Sequence, residues 1–165
     1  MNIGRRQTEI NMLLNRMAVL FDFFDDYVQV HEKTLKDYLI KYGYKNIYDK
    51  NLMISEYHVI DCIGKNPLPN ATFISKELHL TKGAISKITA KLLTKGLIKA
   101  DHLENNKKEI YYTLTSQGKE VYEFHEKVHD LGNKKMEDIF NKYNKQELNT
   151  ISRFLDDLLN ELYLP

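Results

Sequence analysis

The sequence predicts a mainly α-helical fold with one small β-hairpin. Three observations carry that expectation. Prolines occur only at 67, 69 and 165, so long stretches contain no helix breaker. Apolar residues recur at steps of three and four through most of the chain, the spacing of one helix face. The exceptions are two short runs rich in β-branched and aromatic residues, LIKA at 97–100 and EIYYTL at 109–114. At 165 residues the chain has the length of one domain, or of one domain with extended arms.

The elements follow in order. From Ile10 the apolar positions run through Leu13, Leu14, Met17, Leu20, Phe21 and Phe24 to Leu35 and Leu39. They predict one long helix over about 7–42, stopped near Gly43. Residues 44–53 read as a loop. Ser55 is placed to cap the next helix, with Glu56 in its first turn, Val59, Ile60 and Ile63 inward, and Gly64 at its end. The segment KNPLPN (65–70) predicts a turn. Asn70 then caps a short helix with Phe73, Ile74 and Leu78 inward, and Leu80 breaks it. Thr81 caps another helix, whose buried stripe is Ile85, Ile88, Leu92 and Leu93 and whose end is Gly96. Two short helices joined by a tight turn outline a helix-turn-helix.

The extended runs with the polar tip HLENNKK (102–108) between them add a wing to that outline. Thr115 caps a long helix with Gly132 as a kink point. Asn144 with Glu147 three residues on forms a capping-box start for the last helix, which repeats at Leu148, Ile151, Leu155, Leu158 and Leu162. The expected architecture is a winged helix-turn-helix with long N- and C-terminal dimerisation helices. Its parts are an N-terminal arm over 1–45, a winged lobe over 54–114, and C-terminal dimerisation helices over 115–165. A lobe of about 60 residues is too small to cover every apolar stripe, so a homodimer is expected.

Composition sets limits. The 42% hydrophobic and 28% charged fractions suit a globular chain and argue against disorder. The single cysteine, Cys62, excludes an intramolecular disulfide framework. No stretch reads as a signal peptide or membrane span, so a cytoplasmic setting without membrane partners is expected. A Gly-rich phosphate loop, a nucleophile elbow and a paired-His protease motif are all missing, and no enzymatic activity is expected.

A net charge of +1 hides a local bias. Residues 1–78 are net 0 and residues 109–165 net −4. Residues 79–108 carry seven lysines against Asp101 and Glu104, net +5. The positive charge therefore coincides with the second helix of the helix-turn-helix and the wing, where it suits a phosphate backbone. The predicted contacts to double-stranded DNA are Thr81, Lys82, Gly83, Ser86, Lys87, Thr89 and Lys91 on the helix. At the wing they are Asn105, Asn106, Lys107 and Lys108. Small residues on that helix allow close approach in the major groove, and a wing tip reaches the minor groove or its phosphates. The rival reading is a winged helix used for protein docking, for which an apolar rather than lysine-bearing face is expected. The lobe holds no arginine, so shape and A·T-rich character carry more of the expected specificity than guanine reading.

At these residues the sequence resembles the MarR family of bacterial winged-helix regulators. The likeness covers nearly the whole chain. It is most specific at SEYHVIDCIG (55–64), ISKELHLTKGAISKITAKLLTKGLIKA (74–100) and NKKEIYYTLTSQGKEV (106–121). The resemblance implies a dimeric regulator, a repressor or an activator, on a pseudo-palindromic operator, with the helix near 82–95 in each major groove. The family's wing usually carries an aspartate and arginines, where this chain has Asn106, Lys107 and Lys108.

The signal has several candidates. His125 and His129 are one helical turn apart, and with His58 and Glu32 they make an N3O donor set of the kind zinc takes. This set is similar to that of the family's zinc-responsive branch. The stretches VHEKTLKD (30–37) and HEKVH (125–129) equally resemble its fatty-acid-synthesis repressors, which respond to acyl chains on an acyl carrier protein. Phe24, Tyr27, Tyr38 and Tyr57 are candidates to line an apolar pocket for a small molecule. Cys62 reads as a buried thiol, with redox sensing as the alternative if it is exposed.

Overall fold

The computed structural model describes residues 3–25, 27–104 and 106–162, and of Ile3, Asp25, Tyr27, Val28 and Leu162 the backbone alone. The chain forms two compact units, Met1–His125 and Glu126–Pro165. The first contains α1 (Ile3–Asp25), α2 (Tyr27–Lys41), α3 (Lys45–Tyr48), α4 (Ile54–Lys65), α5 (Ala71–Glu77) and α6 (Lys82–Thr94). Strands β1 (Ile98–Leu103) and β2 (Asn106–Leu114) follow, then the first turns of α7 (Ser116–Phe140). The second unit holds the rest of α7 and α8 (Lys145–Leu162).

The N-terminal helical region starts at Ile3, earlier than the apolar spacing predicts, and is described as α1 and α2, with residue 26 between them outside the described residues. On α1 Leu13 is 59% and Val19 68% exposed, whereas Leu35 and Leu39 of α2 are buried. The stretch expected to be a loop contains α3, one helical turn that buries Ile47. Asn46 beside it donates to Glu120 Oε2 at 2.8 Å.

The start of α4 differs from the expectation. Met53, not Ser55, is the N-cap. The cap is completed by Glu56, whose Oε2 accepts the Met53 amide at 2.8 Å. Glu56 is only 2% exposed. Lys95 Nζ reaches its two carboxylate oxygens at 2.8 and 3.0 Å, so the buried charge is paired. The helix runs one residue past Gly64 to Lys65, and Asn66 Nδ2 caps its end by donating to Cys62 O at 2.8 Å.

Asn70 and Thr81 act as predicted. Asn70 Oδ1 accepts Phe73 N at 2.8 Å, and Thr81 Oγ1 accepts Ala84 N at 3.2 Å. Between α5 and α6 the chain turns through His79, whose φ is 52°. Ser75 Oγ donates to Leu80 O at 2.6 Å and closes that turn. The core of the unit is built from Tyr57, Val59, Ile60, Ile74, Ile85, Leu92, Leu97 and Phe124, all buried. The sequence assignment of α6's inner face needs correction, because Leu93 is exposed and Phe73 of α5 is also turned outward.

The wing is a two-stranded antiparallel sheet, with Ile98 opposite Leu114 and Asp101 opposite Tyr111. An irregularity follows between Asp101 and Leu103, and Leu103 pairs with Asn106. The strands therefore extend further into the polar tip than residue preference predicts, because the backbone ladder continues where side-chain pattern stops. Tyr112 N donates to Pro69 O at 3.0 Å, which ties the proline turn to β2.

The wing joins α7 at a tight crossing. Thr115 Oγ1 donates to the carbonyls of Gly96 (2.8 Å) and Leu97 (3.1 Å) and accepts Gly118 N at 3.0 Å. A Cβ on Gly118 would fall on the Leu97 carbonyl oxygen. In the second unit, Asn144 N donates to Glu147 Oε2 at 2.8 Å and Glu147 N to Asn144 Oδ1 at 3.1 Å, the reciprocal pair that starts α8. No helix among the described residues is long and apolar enough to cross a membrane.

Candidate nucleic-acid interface

Helix α6 has two distinct faces. Ile85, Thr89 and Leu92 are buried against the rest of the first unit. Lys82, Gly83, Ser86, Lys87, Ala90 and Lys91 lie on the exposed side, with no acidic residue among them. Thr81 stands at the N-terminus, where backbone N–H groups favour an anion.

Thr89, expected on the outer face, faces inward, and the structure corrects the assignment. It is 2% exposed, and its hydroxyl donates to the Ile85 carbonyl at 3.0 Å and to that of Ser86 at 3.2 Å. The reason is helical phase: position 89 lies one turn from 85 and three residues from 92, both inward. Lys95 also leaves the basic surface, since its ammonium is spent on buried Glu56. Lys82, Lys87, Lys91 and Lys99 remain exposed.

At the wing, Lys107 and Lys108 are exposed. Asn106 is half-buried, and its side chain is occupied within the wing rather than presented outward. Its Oδ1 accepts Lys108 N at 3.2 Å, and its Nδ2 donates to Tyr111 OH at 3.3 Å and Glu109 Oε2 at 3.4 Å. Asn105 lies outside the described residues, as does the side chain of Tyr27.

Phe24, Tyr38 and Tyr57, expected to line a pocket, stand in different surroundings. Phe24 is exposed and meets Phe23 edge-on at 6.0 Å. Tyr38 stacks on Tyr42 at 5.7 Å, and Tyr57 is buried with its ring stacked on His125 at 5.3 Å. Phe24, Tyr38 and Tyr57 thus take part in three different ring contacts. Burial, and secondarily the charge of Glu56, pushes the ionisation of Tyr57 well above the ordinary tyrosine range.

His125 is 1% exposed and is the centre of an imidazole group. The His58 ring lies 5.9 Å and the His31 ring 6.2 Å from it, and its Nδ1 is 3.8 Å from Asp61 Oδ1. His31 is a member that the sequence pattern does not reveal. Its neighbour Glu32 has another partner: Oε1 accepts Ile54 N at 3.2 Å, at the start of α4. Successive helical residues diverge by about 100°, so 31 and 32 cannot share one direction. His129 sits one turn beyond His125 along α7, in the second unit, and is exposed.

Cys62 is 6% exposed. Burial, then the charges of Glu77 and Asp61, pushes its thiol up from 9.0 to about 11. These are the surroundings of a packed thiol rather than of a reactive one.

A helix-turn-helix whose second helix turns a lysine-bearing face outward, with a basic hairpin behind it, is the apparatus of a winged-helix regulator of transcription. Known proteins agree. Residues 52–110 match the MarR family. YhjH of Bacillus subtilis (strain 168), named as an uncharacterized HTH-type transcriptional regulator, is 30% identical over 151 residues. That match covers 87% of this chain and 86% of YhjH. The HTH-type transcriptional regulator PchR of the same organism is 31% identical over 109 residues, 66% of this chain and 64% of its own. Among solved structures, Streptococcus pneumoniae FabT in complex with DNA is 24% identical with a TM-score of 0.70, covering 91% of this chain and 96% of that one. Lactococcus lactis ZitR, a zinc-responsive MarR family member, is 22% identical with a TM-score of 0.64, covering 68% of this chain and 77% of its own. The chain belongs to the MarR family.

Proposed function

We propose that the protein regulates transcription as a homodimer bound to a pseudo-palindromic operator in double-stranded DNA. Each subunit inserts α6 into a major groove and lays Lys107 and Lys108 of the wing along the adjacent backbone. The observation that carries this reading is the outer face of α6, where Lys82, Lys87 and Lys91 flank Gly83 and Ser86 without an acid. Lysines supply phosphate contacts, and the small residues leave room for base edges. A protein-docking role is disfavoured by the same face. The DNA-binding set supported here is Thr81, Lys82, Gly83, Ser86, Lys87 and Lys91 with the two wing lysines.

A gel-shift against the DNA upstream of the protein's own gene, repeated across a salt series, tests the reading. The expected result is binding that weakens steeply with salt. Lys87→Ala lowers the slope of log K against log salt by about 0.9 for each phosphate no longer neutralised, near 2 for a symmetric dimer. Indifference to that DNA at low salt overturns the reading for that site.

A second reading concerns the signal. The nitrogens of His125 and His31 come from different helices of one unit, and such a pair is the beginning of a zinc site. Zinc titration against a competing chelator checks it. Binding tighter than micromolar that disappears in His125→Ala supports a metal signal, and weaker binding removes it.

A further inference from the structure

One carboxylate oxygen on β2 of the wing gathers three side-chain donors. Glu109 Oε2 accepts from Tyr111 OH at 2.9 Å, from Asn70 Nδ2 at 3.0 Å and from Asn106 Nδ2 at 3.4 Å. Asn70 is also the N-cap of α5, through Oδ1. The same asparagine therefore joins the hairpin to the first helix of the helix-turn-helix. Donating to Glu109 raises the ionisation of the Tyr111 hydroxyl, as expected for a proton held by a carboxylate.

This acid directly follows the most basic segment of the chain, on the strand that carries Lys107 and Lys108. By charge alone it opposes a phosphate backbone. What it supplies instead is attachment. A two-stranded hairpin is marginal by itself in water, so its direction depends on ties to the body. Hydrogen bonds to an ionised acceptor are about twice as strong as neutral ones. Glu109 gathers three of them where the hairpin meets the helices.

We propose that Glu109 is a positioning residue for DNA binding: its carboxylate fastens the wing to the N-terminus of α5 and so sets the direction in which Lys107 and Lys108 meet the DNA backbone. The inference rests on the reading of this lobe as the DNA-binding surface.

The two roles open to the charge predict opposite signs. If Glu109 only repels phosphate, Glu109→Ala tightens binding. If it positions the wing, Glu109→Ala weakens it. Fluorescence anisotropy of the full-length protein on its upstream DNA, across a salt series, separates them. Expected for Glu109→Ala is binding about five- to tenfold weaker, with the salt slope smaller by about one for each phosphate that the wing lysines cease to neutralise. Glu109→Gln keeps an acceptor oxygen for the three donors and restores binding to within about twofold of wild type. Tyr111→Phe leaves the charge untouched, removes one donor, and weakens binding about two- to threefold. Glu109→Ala binding as tightly as wild type or tighter, or Glu109→Gln as weak as Glu109→Ala, overturns the proposal. Should Glu109→Ala fail to fold, Tyr111→Phe decides: weaker binding supports the tie, and unchanged binding overturns it. Wild-type protein that ignores the DNA, or Lys87→Ala that binds undiminished, counts against the DNA-binding surface and not against the tie.

Discussion

Lys87 and Lys95 lie about two helical turns apart and have opposite fates. Lys87 is exposed on the outer face of α6, whereas Lys95 turns in to a carboxylate that is 2% exposed. Removing one partner of a buried ion pair strands the other charge, so Lys95→Ala costs about 3–5 kcal/mol of stability. Urea denaturation measures this, and Lys87→Ala should stay within about 0.5 kcal/mol of wild type in the same assay. Cys62 gives a second prediction. Its folded thiol keeps its proton to about pH 11, against 9.0 ordinarily. Its contribution to stability is therefore intact below pH 9 and is lost as pH rises toward 11. The stability difference between wild type and Cys62→Ala should shift against wild type across that window. A thiol reagent at pH 8 should react with Cys62 only after unfolding. The sequence shows that these residues exist and on which helix they lie. It does not show that Lys95 meets Glu56, because the two are 39 positions apart.

At the scale of elements, the caps are the most legible feature. Asn70, Thr81, Thr115 and Asn144 each accept the amides their positions predict, since capping is decided within three residues. Ser55 does not cap because Glu56 completes the cap from inside the helix, with Met53 as the capped residue. Helical phase also decides Thr89, which polarity alone places outward. The crossing of Thr115 and Gly118 with the Leu97 carbonyl is the junction most sensitive to volume. Gly118→Ala must displace backbone there, and a loss of about 1–3 kcal/mol is expected. Its thermal midpoint should fall correspondingly, whereas Gly83→Ala, with open space around it, should leave stability nearly unchanged.

At the scale of the whole molecule, the apolar surface is the dominant fact. Leu13, Leu14, Val19, Leu20 and Phe24 of α1 are exposed, as are Phe154, Leu155 and Leu159 of α8. Apolar surface of this extent marks an association site, and a second copy is the partner proposed for it. Sedimentation should give twice the 19.5 kDa chain mass. Leu13→Glu with Leu20→Glu should weaken association by about 2 kcal/mol or more and carry DNA affinity down with it. The distribution of charge reconciles a net charge of +1 with a polyanionic target. The basic surface is local, made of exposed α6 lysines and the wing tip, and the acidic C-terminal segment balances it.

The sequence by itself determined the order of the main helices and strands, which helix carries the exposed lysines, and that apolar faces exceed what one chain can cover. These depend on spacing, capping and composition, all local or additive. Only the tertiary structure decided which polar side chains are spent inside the fold. Lys95 on Glu56, His31 beside His125, and Asn70 on Glu109 are such cases. Each pairing joins groups on different elements or across a turn. Its free energy depends on burial and distance, which no linear pattern contains.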